Sequence, residues 1–350
     1  MRDYIQSLPF LSSEDQGFLQ RSLERFENSY ERKQSFKACV DRHRVYIDEG
    51  RRLPFTQEEF ERSFRAKDFW KNLEDCGSWL EFRKYISVDN IKLHMANFCR
   101  KDRLCPACAV RRAYKQHQKF EKIIQEYPEF LGNEWFYIVV PVQHKISDSF
   151  EVVWNRAQNV LRSIRQSIRD SKRRGYSSNI FGHFLGGMYA IETTYTANGW
   201  NIHINFLINA PKGFLWPSDL QVYRKGNRIH YQAKEIEEFI SRVALGSYIH
   251  SISYLSMTDP EERKSNLVEI LKYSLKFSSL TDQRLLEFYI KTYRKRLFGT
   301  FGNLYGLGID DVELEGDEVL SDDFVEMIFI RAGGEYRLHQ VNERRNEDDE

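Results

Sequence analysis

Four cysteines place the tightest constraint on this chain. Cys76, Cys99, Cys105 and Cys108 follow one another as C-x22-C-x5-C-x2-C. The closing CPAC is a tight turn that lets two thiolates grip one ion, and Zn²⁺ prefers four such ligands in a tetrahedron. A closed all-thiolate site is structural rather than catalytic, so the spacing predicts a four-cysteine zinc module holding a structural Zn²⁺. CxxC also serves redox chemistry, but two further cysteines nearby favour metal. His94 is an alternative to Cys76 as fourth ligand. Only five cysteines occur in 350 residues, and their clustering fits a reducing compartment rather than a disulfide framework. The fifth, Cys39, stands in a helical stretch and reads as a small buried hydrophobe.

Charge has to be read by position, because 52 Lys and Arg face 51 Asp and Glu, for a net charge of +1. A basic surface must therefore come from segregation along the chain. Around the cysteines stand Arg100, Lys101 and Arg103. Arg111, Arg112, Lys115, Lys119 and Lys122 follow on a predicted helix whose apolar side is Val110, Tyr114, Phe120 and Ile124. A second run, Arg162, Arg165, Arg169, Lys172, Arg173 and Arg174, ends a helix that starts near Phe150. Two basic helices beside a metal module suit a phosphate backbone, with Arg111, Arg112 and Lys115 as candidate DNA contacts; solvated surface helices carry such residues too. There is no signal peptide, transit peptide or long apolar run, so a cytoplasmic protein without membrane contact is expected.

Elsewhere the pattern alternates between the two regular periods. Residues 12–70 read as charged helices, with Ser13 and Gln16, and Thr56 and Glu59, at capping-box spacing and Leu19, Leu23, Phe26 and Tyr30 on one stripe. Trp135 to Val142 reads as a central strand. Gly187–Tyr195 and Trp200–Asn209 read as a hairpin turning at Asn198-Gly199. Alternation puts Glu192 with Ala190 and Thr194, and Asn201 with His203 and Asn205, while Ile202, Ile204 and Phe206 face the other way. If Glu192 lies across from His203, then Glu192, His203 and Asn205 make a donor set for Mg²⁺ or Mn²⁺; a hydrogen-bonded histidine is the plainer reading of His203 alone. Residues 220–232 read as a small hairpin and 233–245 as an amphipathic helix. Asn266 to Ser279 reads as a helix on which Glu269 and Tyr273 stack four residues apart, beside Lys272 and Lys276. A phenol with a pKa of about 10 needs metal or cationic help to act as a nucleophile. Residues 294–307 are basic and glycine-punctuated, 310–323 an acidic linker, 324–341 a last hairpin turning at Gly333-Gly334, and 342–350 a charged tail. No repeat, P-loop or dinucleotide fingerprint occurs.

Taken in order, these motifs resemble the replication initiators of rolling-circle plasmids, members of the HUH endonuclease superfamily. The resemblance runs from Cys76 to about Leu307. CGSWLEF and NFCRKDRLCPACAVRR are similar to the family's Cys-rich segment, AIETTY with NIHINFLI to its metal motif, EILKY to its catalytic helix, and KRLFGTFGNLYGL to its closing basic segment. The resemblance implies that Tyr273 attacks a scissile phosphate in single-stranded origin DNA, leaving a 5′-phosphotyrosine link and a priming 3′-OH. Glu269 would act as a general base that activates water at termination, and Lys276 would neutralise the phosphate. One departure stands out: where the family has His-hydrophobic-His, this chain has His203-Ile204-Asn205, and Asn201 stands where a further His is common. Some viral relatives resemble this variant by carrying Gln there. A carboxamide is a weaker donor than imidazole.

The expected fold is α+β: an antiparallel sheet with flanking helices, HUH endonuclease-like, plus the four-cysteine zinc module. The expected domains are an N-terminal helical segment (1–70), the zinc module and basic helix (71–127), a nicking domain (128–309), and the linker, hairpin and tail (310–350). The expected partners are single-stranded and origin double-stranded DNA and a host helicase or polymerase. A transposase or relaxase of a mobile element, and a non-catalytic zinc-containing DNA-binding protein, are the alternatives.

Overall fold

The computed structural model describes residues 5, 8–86, 89–175, 180–214, 221–225, 228–232, 234–244, 246–255, 257–259, 263, 280–314 and 323–344. The chain forms two compact units, Met1–Arg112 with Glu313–Glu350, and Ala113–Val312. Both are mixtures of helices and antiparallel sheet. Among the described residues no helix is long and apolar enough to cross a membrane.

Three helices of the first unit have described bounds, α1 (Ser13–Asp48), α2 (Gln57–Phe64) and α3 (Phe69–Asp75). The α1 cap lies one residue earlier than the predicted Ser13–Gln16 pair. Ser12 is extended (ψ 164°) and its side chain accepts from Asp15 N, while the Asp15 carboxylate accepts from Ser12 N. The Gln16 side chain reaches the Leu11 carbonyl instead. Thr56 and Glu59 form the predicted capping box of α2. Leu19, Leu23 and Phe26 of α1 are buried.

Strands β1 (Trp79–Tyr85) and β2 (Asn90–Ala96) follow. They pair with β10 (Phe324–Ala332) and β11 (Glu335–Arg344) in an antiparallel sheet ordered β11-β10-β1-β2. The last hairpin turns at Gly333-Gly334, whose φ angles of 63° and 91° are the left-handed values that tight hairpin turns need. β1 thus lies between its chain neighbour and a strand from the far end of the sequence, with Phe82 opposite both Leu93 and Met327. Helix α1 packs on this sheet through Phe18 on Phe82 and Phe26 on Tyr336, both edge-on.

Helix α4 (Pro106–Glu126) carries the chain into the second unit between Arg112 and Ala113. Then come β3 (Glu134–Pro141), α5 (Phe150–Arg174), the long hairpin β4 (Gly186–Thr196) and β5 (Gly199–Ala210), the hairpin β6 (Gln221–Lys225) and β7 (Arg228–Gln232), α6 (Lys234–Val243), β8 (Ser251–Tyr254), α7 (Asp282–Lys291) and β9 (Phe298–Gly302). Five of these strands form an antiparallel sheet ordered β8-β3-β5-β4-β9. The face with Ile202, Ile204 and Phe206 is apolar and buried. Helix α5 runs along β5, buries Val153, Ala157, Val160, Leu161 and Ile164, and sets Phe150 edge-on to Trp200 at 5.0 Å. On the opposite face Met188 and Leu207 are covered by Phe120, Ile123 and Ile124 of α4. That leaves the neighbouring rungs of this face, which carry Asn205, His203 and Glu192, as the polar part of the sheet.

The glycine punctuation of 294–307 has a packing reason. Gly302 has φ 65°, and a Cβ there would stand well inside 3.0 Å of the Leu185 carbonyl and Gly186 Cα. β9 can lie against β4 only because neither strand carries a side chain at that crossing.

Candidate functional site

Two sites are built from the predicted residues, one in each unit. In the first unit the sulfurs of Cys76, Cys99, Cys105 and Cys108 all lie within 4.8 Å of one another, and all four residues are buried. Cys76 Sγ is 3.6 Å from both Cys105 Sγ and Cys108 Sγ, and Cys99 Sγ is 3.5 Å from Cys108 Sγ. Four thiolates held at about 2.3 Å from one ion form a tetrahedron with edges of about 3.8 Å. The cluster therefore fits a single metal ion with little adjustment. His94 is buried too, but its Nε2 faces Glu81 Oε1 at 3.9 Å, and the four-residue metal cluster is all cysteine.

The local fold explains how residues so far apart in sequence converge. Cys76 ends α3, Cys99 follows β2, and Cys105 and Cys108 open α4, where Cys105 N bonds to the Lys101 carbonyl and Ala109 N to the Cys105 carbonyl. Lys33 Nζ donates to the Cys76 carbonyl at 2.9 Å, and Arg331 donates to the same oxygen at 3.1 Å. The Ser29 hydroxyl lies 3.4 Å from Cys105 Sγ. Cys105 is held well below the ordinary thiol range, first by its hydrogen bond with Cys108 and then by those with Cys76 and Cys99, while Cys108 is pushed up chiefly by its bond with Cys105. Gly77, at φ 70°, is fixed here: a Cβ would collide with the Phe26 ring, and the Tyr336 hydroxyl bonds to its carbonyl.

In the second unit the hairpin register pairs Glu192 with His203. The two side chains share one face of the sheet, because directly paired residues of antiparallel strands point the same way. Asn205, one rung along, pairs with Ala190 on β4 and Val139 on β3. Glu192 is 6% exposed and Asn205 1%, and His203 is half-buried. Asn205 Oδ1 accepts a hydrogen bond from Tyr137 Oη at 2.8 Å, and its Nδ2 is buried without a hydrogen-bond partner among the described residues. A carboxylate, an imidazole and an amide oxygen on adjacent rungs are a donor set suited to a hard, partly hydrated divalent cation. Tyr137 was not singled out by sequence; its place on the same strand face as Val139 is the one signal that could have found it.

Glu269, Tyr273 and Lys276, with the rest of the helix predicted over 266–279, lie outside the described residues. Of the candidate DNA contacts, Arg111 is buried and donates from Nε to the Leu314 carbonyl at 3.0 Å and from a terminal nitrogen to the Leu93 carbonyl at 3.4 Å. Its guanidinium is used inside the first unit, so the surface role expected of it is not where the fold puts it. Arg112 is half-buried with its Nε 3.2 Å from Asp102, and Lys115 is half-buried. Arg162, Arg169, Lys172, Arg173 and Arg174 lie on the outer side of α5, where all five are exposed.

No family model matches the chain, and no solved structure matches it. It is similar to curated proteins named "Protein rep". The one from Staphylococcus aureus is 28% identical over 144 residues, 41% of this chain and 58% of that protein. The one from Bacillus amyloliquefaciens is 21% identical over 292 residues, 75% of this chain and 82% of that protein. The one from Bacillus sp. is 32% identical over 74 residues, 21% of this chain and 24% of that protein. The chain thus spans just over half the length of the staphylococcal relative.

Proposed function

We propose that this chain is a replication initiator of the rolling-circle type, which nicks and rejoins single-stranded origin DNA within an HUH-like second unit. The observation that carries the reading is the pairing of Glu192 with His203 on the sheet face that also presents Asn205. The three relatives named "Protein rep" support the same reading. In this reading residues 128–309 form the nicking domain and residues 71–127 the zinc module and basic helix.

The Tyr273 hydroxyl gives up its proton as its oxygen attacks the scissile phosphorus, the new P–O bond holds the 5′ side of the break, and the bond to the 3′ oxygen breaks, that oxygen taking up a proton to become the 3′-OH. Splitting the displacement into two steps is what covalent catalysis supplies. Mg²⁺ or Mn²⁺, held by Glu192, His203 and Asn205, would polarise the phosphate and offset the high pKa of the phenol. Lys276, three residues beyond Tyr273, balances phosphate charge. At termination Glu269 takes a proton from water, which then hydrolyses the phosphotyrosine and releases the protein. The four-cysteine cluster holds Zn²⁺ as a structural ion, since all four positions are filled by thiolates. The outward-facing cations of α5, with Arg112 and Lys115, contact the phosphates of single-stranded and duplex origin DNA, and a host helicase and polymerase extend the freed 3′-OH.

Mass spectrometry after incubation with single-stranded origin DNA and Mn²⁺ tests the reading. A covalent protein–DNA adduct is expected from the natural chain and none from Tyr273→Phe. An adduct that survives Tyr273→Phe rejects the nucleophile, and no adduct from either protein favours the non-catalytic zinc-containing DNA-binding alternative, for which the Asn205 departure is the supporting observation. An adduct formed only on the ends of a mobile element would favour a transposase or relaxase.

A further inference from the structure

We infer that a cavity at the far end of the second unit's sheet takes one unstacked base of single-stranded DNA, away from the cut. The inference rests on the reading above that this chain handles single-stranded DNA, and it adds a site that the motifs do not assign. The cavity has a volume of about 400 Å³, and its lining includes Tyr127, Glu129, Asn133, Lys172, Asn303 and Leu307; that volume lies in the range of small-ligand pockets. A third asparagine ties the two on the wall together: Asn209 of β5, 0% exposed, accepts at Oδ1 from Asn133 Nδ2 at 3.0 Å and from Asn303 Nδ2 at 2.8 Å. Asn209 lies six residues beyond His203 on the same strand, about 20 Å at the rise of a strand. The apolar cluster that covers Met188 and Leu207 stands between them, so the cavity is separate from the Glu192–His203 pair.

The lining supplies what recognition of a base needs. Tyr127 is 39% exposed and offers a ring on which any base can stack. Asn133 spends one N–H on Asn209 and retains a second N–H and a carbonyl oxygen, the donor and acceptor with which an asparagine pairs with a base edge. Lys172 Nζ donates to the Leu185 carbonyl at 3.2 Å and brings the cationic end of α5 to the cavity, with Arg169, Arg173 and Arg174 exposed beside it. Such cations hold phosphates. The Glu129 carboxylate on the wall repels a phosphate, so the sugar-phosphate backbone stays on α5 while a base turns inward.

Fluorescence anisotropy with the full-length protein tests this on single-stranded ten-mers of dA, dC or dT and on an abasic ten-mer of equal charge. None of them carries an origin, so nicking plays no part. The natural chain is expected to bind at least one base-bearing ten-mer more tightly than the abasic one. Tyr127→Ala is expected to weaken that binding about tenfold, as the loss of one stacked base implies, and to leave abasic binding unchanged; Tyr127→Phe keeps the ring and is expected to bind as the natural chain does. Equal binding of all ten-mers by the natural chain overturns the inference, as does a Tyr127→Ala protein that melts like the natural chain and either loses nothing or loses as much on the abasic ten-mer. If that happens while origin DNA still forms its adduct at Tyr273, the base site alone falls. If the base-dependent loss is seen and no adduct forms, the nicking reading falls and the base site stands.

Discussion

Lys84 and Asp15 show how a single pair can tie a helix start to a sheet. Lys84 Nζ lies 2.6 Å from Asp15 Oδ2 with both side chains 7% exposed. Burial raises the Asp15 carboxyl, but hydrogen bonds from Lys84 and from Ser12 together outweigh it and leave its pKa below the ordinary value. A depressed carboxyl stabilises the fold fully above its unfolded value of about 3.9, and the contribution is lost as pH falls through the lower folded value. Asp15→Ala removes the partner of the Ser12 cap and leaves Lys84 with the exposed carboxylate of Asp89 alone, so it is expected to cost about 1–2 kcal/mol at pH 7. Urea unfolding should show that gap narrowing toward pH 3. At this scale the sequence carried the pairing of Glu192 with His203 and the clustering of the four cysteines, because residue type and spacing are local. It could not carry Tyr137, Lys33 or Arg331, which reach their partners only through strand order and chain reversal. Arg111 misled for the complementary reason: a cation in a basic run looks like surface until the fold supplies two carbonyls for it.

Elements were legible where the period was clean. The β4–β5 hairpin was readable because Ile202, Ile204 and Phe206 alternate strictly with Asn201, His203 and Asn205 next to an Asn-Gly turn. β1 and β2 were not, because buried Glu81 and Lys84 break the apolar alternation of β1 and the cysteines on either side drew the reading toward a metal loop. The α1 cap slipped by one because two serines stand together and only Asp15, not Gln16, reaches back to its cap. The β4–β9 seam offers a direct test. Gly302→Ala adds a methyl group at a left-handed φ against the Leu185 and Gly186 backbone, and is expected to destabilise the second unit by at least about 2 kcal/mol. Hydrogen exchange should show the Phe298–Gly302 amides losing protection before those of β3. On α5, replacing Arg169, Lys172, Arg173 and Arg174 with Gln is expected to flatten the salt dependence of DNA binding, because each phosphate left without its cation takes about one unit from the log–log slope. An unchanged slope would remove α5 from the interface.

At the scale of the whole molecule, the first unit is made from the two ends of the described chain. Its central pairing joins β1 to β10, Arg331 braces the Cys76 carbonyl, and Tyr336 closes on Gly77 beside the sulfurs. Ending the chain at residue 312 is expected to cut metal content well below one ion per chain, read by a colorimetric zinc assay, although all four cysteines remain. Chelation of the intact chain should expose the same strands, since metal binding of this kind contributes on the order of 10 kcal/mol. This arrangement also sets an order of events at the ribosome. Phe82 meets Met327, and translation at about 5–20 residues per second separates their synthesis by on the order of 10–50 s. The second unit is therefore fully translated before its companion can close, and a message broken within the last strands would release a protein with its Glu192–His203 hairpin complete but poorly able to hold metal at its sulfurs.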